Sequence, residues 1–447
     1  MVRIGVMANR ISWLDRRELM GGLGAATLGP MLPSITAAEE RRLVPVLHAQ
    51  IDVTAGPPER PDALGWQFFG APADAGGNPR PGQGFDFTLA NELPVPVALN
   101  WHGLDGVPSA EPLIGRAPLP AGERENLQIP FRRAGTFFCD LRLLGDGQGR
   151  PSRALATTVQ ETEPVAVDRD EIFLIEDWRL RPDGTAVAPG IDPKDVTLLY
   201  TINRRPSQDV SARTHDRLRL RFINGCQRSV IAVKIENYDV RVMALDSQPA
   251  EPFPARNGAL VLAPGSRTDV FVDITASAGT TSSILLHDGK ESRPIGRLVV
   301  SNEPPVRTAP LPPAPPLPSN GLPSQLDLKN ALRSDVTLGG PPAEWMTPIN
   351  FAATATPAFR AKAGRTVVLA LTNRAENATV FHLHGHHFRL LDRLDDGWKP
   401  FWLDTLAIEP RQTQRIAFLA EYAGRWLMEA MAADWAAPRL VRWYSVE

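Results

Sequence analysis

The chain is predicted to be all-β and built as a series of sandwiches, on three observations. Short apolar stretches alternate with period two, as in Phe85-Asp86-Phe87-Thr88-Leu89 and Leu218-Arg219-Leu220-Arg221-Phe222-Ile223. That is the pattern of strands buried on one face. Pro 43 and Gly 35 in 447 residues supply turns at a density that favours short strands over long helices. A strand-plus-asparagine phrase also recurs, ending at Asn91, Asn224 and Asn373. Its spacing of roughly 130–150 residues is the span of one sandwich domain.

From the N-terminus, Asp15-Arg16-Arg17-Glu18-Leu19-Met20 leads into a mild apolar run at 19–38 that ends in Ile35-Thr36-Ala37-Ala38. Paired arginines, a mild apolar run and small residues are the layout of a twin-arginine export signal cleaved near Ala37 or Ala38. Residues 1–38 are assigned to it, with Met1 or Met7 as the start. A periplasmic or extracellular location follows. No other apolar run approaches the ~20 residues of a membrane span. Three sandwich domains are then expected, at 40–160, 165–303 and 321–447. A proline-rich linker at 304–320, with Leu311-Pro312-Pro313-Ala314-Pro315-Pro316-Leu317-Pro318, reads as a semi-rigid spacer.

A net charge of -2 offers no electrostatic case for nucleic acid or an anionic membrane surface. Cys139 and Cys226 are the only cysteines. Without a Cys-x-x-Cys there is no zinc ribbon and no dithiol redox site, and whether the two pair is open. There is no Gly-x-Ser-x-Gly and no phosphate-binding glycine loop, and no carboxylate pair is singled out by spacing.

Four segments carry chemistry-bearing residues in order: Asn100-Trp101-His102-Gly103, Gly135-Thr136-Phe137-Phe138-Cys139-Asp140-Leu141-Arg142, Phe381-His382-Leu383-His384-Gly385-His386-His387, and Gly424-Arg425-Trp426 through Leu440. Over essentially its whole mature length the chain resembles the three-domain multicopper oxidases, the laccase-like cupredoxin proteins. The resemblance implies three cupredoxin-like Greek-key β-sandwiches. It also implies two kinds of copper centre, and here most of the ligand places carry other residues. At the mononuclear blue site stand Thr379, Ala430, Trp435 and Leu440. A methyl group at 430 cannot replace a thiolate. At the eight imidazole places of the three-copper cluster, His102, His382 and His384 remain. Asn100, Asp140, Arg142, Glu429 and Met431 fill the other five. The resemblance implies a structural histidine at His386 and an ordinary variable place at His387, with His382, His384 and His386 on one strand face and His387 on the other.

Three expectations follow from these replacements. Arg142 should replace lost metal charge and pair with Glu429, because an unpaired buried charge is costly. Trp435 should be buried and fill the vacated blue-copper space. His102, His382 and His384 form the residual metal-ligand set. Two functional readings stand beside each other. In one the chain is a non-oxidase scaffold or binding protein of the cell envelope, similar to the copper-free cell-division branch of the superfamily. It then expects no cofactor beyond copper at low occupancy, and an envelope protein as partner. In the other it is a residual copper-binding protein or copper-dependent oxidoreductase using the remaining histidines.

Overall fold

A computed structural model describes residues 46–51, 66–69, 79–147, 151–339, 344–392 and 397–447. The predicted export signal lies outside the described residues. Among them strands dominate, the few helices are single 3-10 turns, and no helix is long and apolar enough to cross a membrane.

Six sheets pair through three apolar cores. In the first, Phe87 and Leu89 of strand Gly84–Asn91 meet Trp101, Phe137 and Val159 of a three-stranded sheet. The second joins a six-stranded and a five-stranded sheet through Phe173, Leu220, Val233, Val270 and Leu286. In the third, Leu369, Phe381, Ile416, Trp426 and Tyr444 pack a four-stranded against a five-stranded sheet. Alternation turns one apolar face of each strand inward, and the facing sheet removes it from water.

The recurrent asparagines explain why the three units look alike. Each stands at a strand end and is at most 1% exposed. Asn91 donates its amide hydrogens to the carbonyls of Val95, Leu119 and Pro120 and accepts from the Leu93 N–H. Asn224 does the same with Ser229, Leu262 and Cys226. Asn373 does so with Asn377, Ile408 and Ala375. In each unit a planar amide, with two donors and one acceptor, closes the turn after the strand and ties it to a distant segment.

One strand departs from the sequence expectation. Arg217–Asn224 is not half buried: its arginines are covered as fully as its leucines. Arg219 and Arg221 share the Asp269 carboxylate, and Arg221 also bonds Asp170 and the Thr136 hydroxyl of the first sandwich. The polar face of this strand is therefore charge-paired within the second sandwich and joined to the first through the Thr136 hydroxyl. Both cysteines are buried free thiols.

Candidate functional site

Four strands carry the chemistry-bearing positions into one place. Asn100–His102 pairs with Gly135–Asp140, setting Asn100 opposite Asp140. Thr379–Leu383 pairs with Gly424–Ala432, setting His382 opposite Glu429, and Phe381 opposite Ala430. The adjacent strand Arg439–Val446 puts Arg439 opposite Met431. Asn100, His102, Asp140, Arg142, His382, His384, Glu429 and Met431 are all buried. Period-two alternation sends Glu429 and Met431 one way and Ala430 the other, into the third core with Leu440 beside it. Thr379 is buried too, and its hydroxyl donates to Asn373.

His384 is the centre of the cluster. Its Nδ1 lies 3.0 Å from a Glu111 oxygen and its Nε2 2.8 Å from a Glu429 oxygen. Carboxylates only accept, so both ring nitrogens carry protons and the ring is an imidazolium. Burial alone would lower its pKa. The Glu111 carboxylate, then Glu429, overrides burial and pushes it up to about 10. Glu429 is buried as well, yet Arg439 and His384 hold it well below the usual carboxylate range. Glu429 also accepts from the Asn100 amide and ion-pairs with Arg439. Asp140 ion-pairs with Arg142 at 3.3 Å, and burial keeps its pKa raised. Arg142 further donates to the Gly225 carbonyl and lies over the Phe138 ring. The Met431 sulfur accepts from Arg228, which also pairs with Asp146.

Beside this cluster, His102 and His382 stack with ring centroids 4.0 Å apart. His382 Nδ1 faces the Asp404 carbonyl at 3.1 Å and the Thr405 hydroxyl at 3.0 Å. Burial holds both rings neutral: His102 lies well below the ordinary value, and His382 falls to about 4. The Asp404 carboxylate is gripped by Arg267 at 2.9 and 2.7 Å. Asp246, next to that pair, is pushed up to about 6 by burial and by the Asp404 charge.

The histidine run does not continue as a strand. The strand stops at Leu383, and Gly385 turns the chain at φ 74°, where any Cβ would run into the Trp426 ring. His386 therefore leaves the face expected of it. Its Nδ1 meets the Tyr444 hydroxyl and its Nε2 accepts from the Tyr422 N–H. His387 sets Nδ1 on the Asp105 carboxylate at 2.8 Å and Nε2 on the Asp246 carbonyl at 2.7 Å. Two acceptors again require two protons, and Asp105 raises its pKa against the effect of burial. Asp105 comes from the first sandwich, Asp246 from the second and His387 from the third, so this imidazolium pins all three.

Trp435 is 4% exposed, buried as expected. It is held by the Ala188 carbonyl and by the Arg179 guanidinium 4.7 Å from its ring. The expected pair of Arg142 with Glu429 is not formed. Arg142 turns to Asp140, two residues before it in the chain, and Arg439 on the neighbouring strand takes Glu429. The local partner is reached at less entropic cost than one on another sandwich. Glu111, Arg439, Arg267, Arg228 and Asp246 were not legible as site residues. Each is a single charge in a loop or at a strand end.

Two family models described as multicopper oxidase match the chain, one at residues 172–282 and the other at 325–447, together just over half of it. Among solved structures, a multi-copper oxidase from Pseudomonas thermotolerans is 24% identical with a TM-score of 0.74, covering 90% of this chain and 98% of that one. Lac15 from a marine microbial metagenome is 24% identical with a TM-score of 0.67, covering 90% and 99%. The McoA multicopper oxidase of Aquifex aeolicus is 16% identical with a TM-score of 0.70, covering 91% and 96%. At these identities the likeness shows the fold. A comparison with curated proteins finds no significant match.

Proposed function

The chain belongs to the multicopper oxidase family, and we propose that it is an exported member that does not work as an oxidase and serves as a binding scaffold of the cell envelope. One observation carries this reading. His384, at a copper-ligand place of the family, is clamped between the Glu111 and Glu429 carboxylates with both nitrogens protonated. An imidazolium has no lone pair to give a metal.

The rest of the donor set supports the same reading. The Asn100 amide donates to Glu429, Asp140 is taken by Arg142, and the Met431 sulfur is taken by Arg228. Ala430 offers a methyl group where an electron-accepting copper needs a thiolate. These residues do not fit a three-copper cluster with a blue site, and no electron-transfer step is derived through one. Carboxylates and guanidiniums balance within the cluster without a metal charge, which favours a structural use of the old centre. The twin-arginine motif at Arg16-Arg17 directs the chain to the periplasm or outside the cell. Three sandwiches joined by charge pairs would offer their outer surfaces to an envelope partner, in the manner of the copper-free cell-division branch.

The test expresses the full chain with its leader under added copper and analyses the exported fraction. The expected result is an exported protein with no blue band, no four-copper content and no turnover of phenols. A four-copper protein that oxidises a phenol would sink the proposal. Changing Arg16 and Arg17 to lysine is expected to stop export, and unchanged delivery would remove the envelope from the reading.

A further inference from the structure

We propose that Arg389, set against Trp398 and Trp402, is a surface site for a carboxylate ligand with an apolar body, made of none of the copper-ligand places. A hairpin on the third sandwich builds it. Arg389–Leu390 pairs with Thr413–Leu419, which sets Arg389 opposite Ala417. Ala417 lies with Val368, Leu391 and Trp402 in an apolar cluster separate from the main core of that sandwich. The returning arm is tied down by two backbone bonds between Phe388 and Leu403 and by the Lys399 N–H on the Leu390 carbonyl. Trp398 and Trp402 come from this arm. Their ring centres lie 5.3 and 4.7 Å from the Arg389 guanidinium carbon. Indole rings attract a guanidinium through their faces and leave its N–H groups unused.

The guanidinium lacks an anion. Among the described residues Arg389 makes no ion pair and no hydrogen bond, and its Nε is buried without an acceptor. The two Nη nitrogens also bond nothing but are not enclosed, so they face outward. Asp392, three residues on, is taken by Lys399 at 2.6 Å. Other covered arginines of the chain are treated differently. Arg142, Arg153, Arg179, Arg217 and Arg293 also lie over aromatic rings, and each is paired with a carboxylate as well. Burial lowers the Arg389 pKa, and no neighbouring carboxylate raises it again.

A part-buried guanidinium without a counter-charge is held in place at a cost that an arriving anion would offset. Two open nitrogens in one plane match the two oxygens of a carboxylate. Trp398, part exposed, and Trp402, 5% exposed, give the body of the ligand an apolar wall. The charge and the wall together select an acid that carries a ring or an apolar chain over a bare inorganic anion.

The test is calorimetry on the purified full chain with sodium phenylacetate, its uncharged amide phenylacetamide, and sodium phosphate. One phenylacetate per chain is expected, weakened by added salt, with phosphate weaker and the amide not binding. Arg389→Gln should lower the affinity for phenylacetate by about tenfold or more, the scale of one charge-assisted pair. Arg389→Lys should recover only part of that, because an ammonium keeps the charge and loses the fork. The ligand-free Tm of Arg389→Gln should stay near that of the parent, since the change removes an unpaired charge, and this separates lost binding from lost folding. Arg425→Gln, at an exposed arginine over Trp443, should bind as the parent does and reports adventitious binding to surface arginines. No binding of phenylacetate by the parent, equal binding of the amide, tighter binding of phosphate, or parent-like binding by Arg389→Gln would overturn the site. None of these outcomes touches the oxidase test, which reads copper content and phenol turnover.

Discussion

Two buried histidines three residues apart, His384 and His387, are both cationic, for the same reason: each faces an acceptor from both ring nitrogens. The consequence for stability has a definite sign. His384 keeps its proton in the folded chain up to about pH 10, against an ordinary value of 6.5. Between those values the folded state binds more protons than the unfolded one. Its contribution is therefore complete below about 6.5 and is lost as pH rises through about 10. Thermal unfolding across that range should show Tm falling on the alkaline side, and His384→Gln should flatten the fall. A parent Tm that stays level to pH 10 would contradict the clamp. The ion pair of Glu429 with Arg439 gives a second residue-scale prediction. Arg439→Leu leaves the buried Glu429 carboxylate with His384 as its remaining cation and should cost up to ~3–5 kcal/mol by denaturant unfolding. Adding Glu429→Gln should recover part of that loss, because the under-compensated charge is removed. Additive losses would mean that the two do not act as a pair.

Secondary-structure elements carry the repeat. Asn373→Ala removes the donors for the Asn377 and Ile408 carbonyls and the acceptor for the Ala375 N–H. Each orphaned buried group costs ~1–3 kcal/mol, so the loss should exceed that of an ordinary surface change. Hydrogen exchange should speed up first around residues 373–377 and 408. Protection unchanged there would show that the asparagine corner is dispensable. Gly385 makes a sharper case. A Cβ there would lie 2.2 Å from the Trp426 ring, on a backbone of positive φ. Gly385→Ala should therefore destabilise by overpacking, ~1–3 kcal/mol or more, and displace both His386 and His387. These elements were partly legible. Alternation and the asparagine phrases gave the strands and the threefold plan. The histidine run misled because alternation was carried through Gly385, where the chain in fact leaves the sheet. Arg217–Asn224 misled in the other direction, since a strand pattern with arginines on one face does not say whether carboxylates cover that face.

At the scale of the whole molecule, the site is a product of three sandwiches meeting, and this is where the sequence runs out. Motif order placed Asn100, Asp140, His382 and Glu429 near one another, and the strand registers agree. Which charges neutralise which depends on loops from other sandwiches. Glu111 reaches His384, and Arg267 reaches Asp404, each across more than a hundred residues of chain. No local spacing encodes such contacts, whereas the expected Arg142–Glu429 pair went astray because nearer partners, Asp140 and Arg439, took the two charges. The same contacts bind the sandwiches together through charge pairs, and buried pairs are held by geometry more than by net energy. The family keeps its fold here while the centre between the sandwiches is built from carboxylates, guanidiniums and imidazoliums.

That view stands or falls on metal content. The exported full chain, saturated with copper and freed of loosely bound ions, should be measured by elemental analysis alongside its visible absorption. No more than one metal ion per chain and no blue band are predicted. Four coppers per chain, with the intense blue absorption of a thiolate-bound copper, would contradict the account.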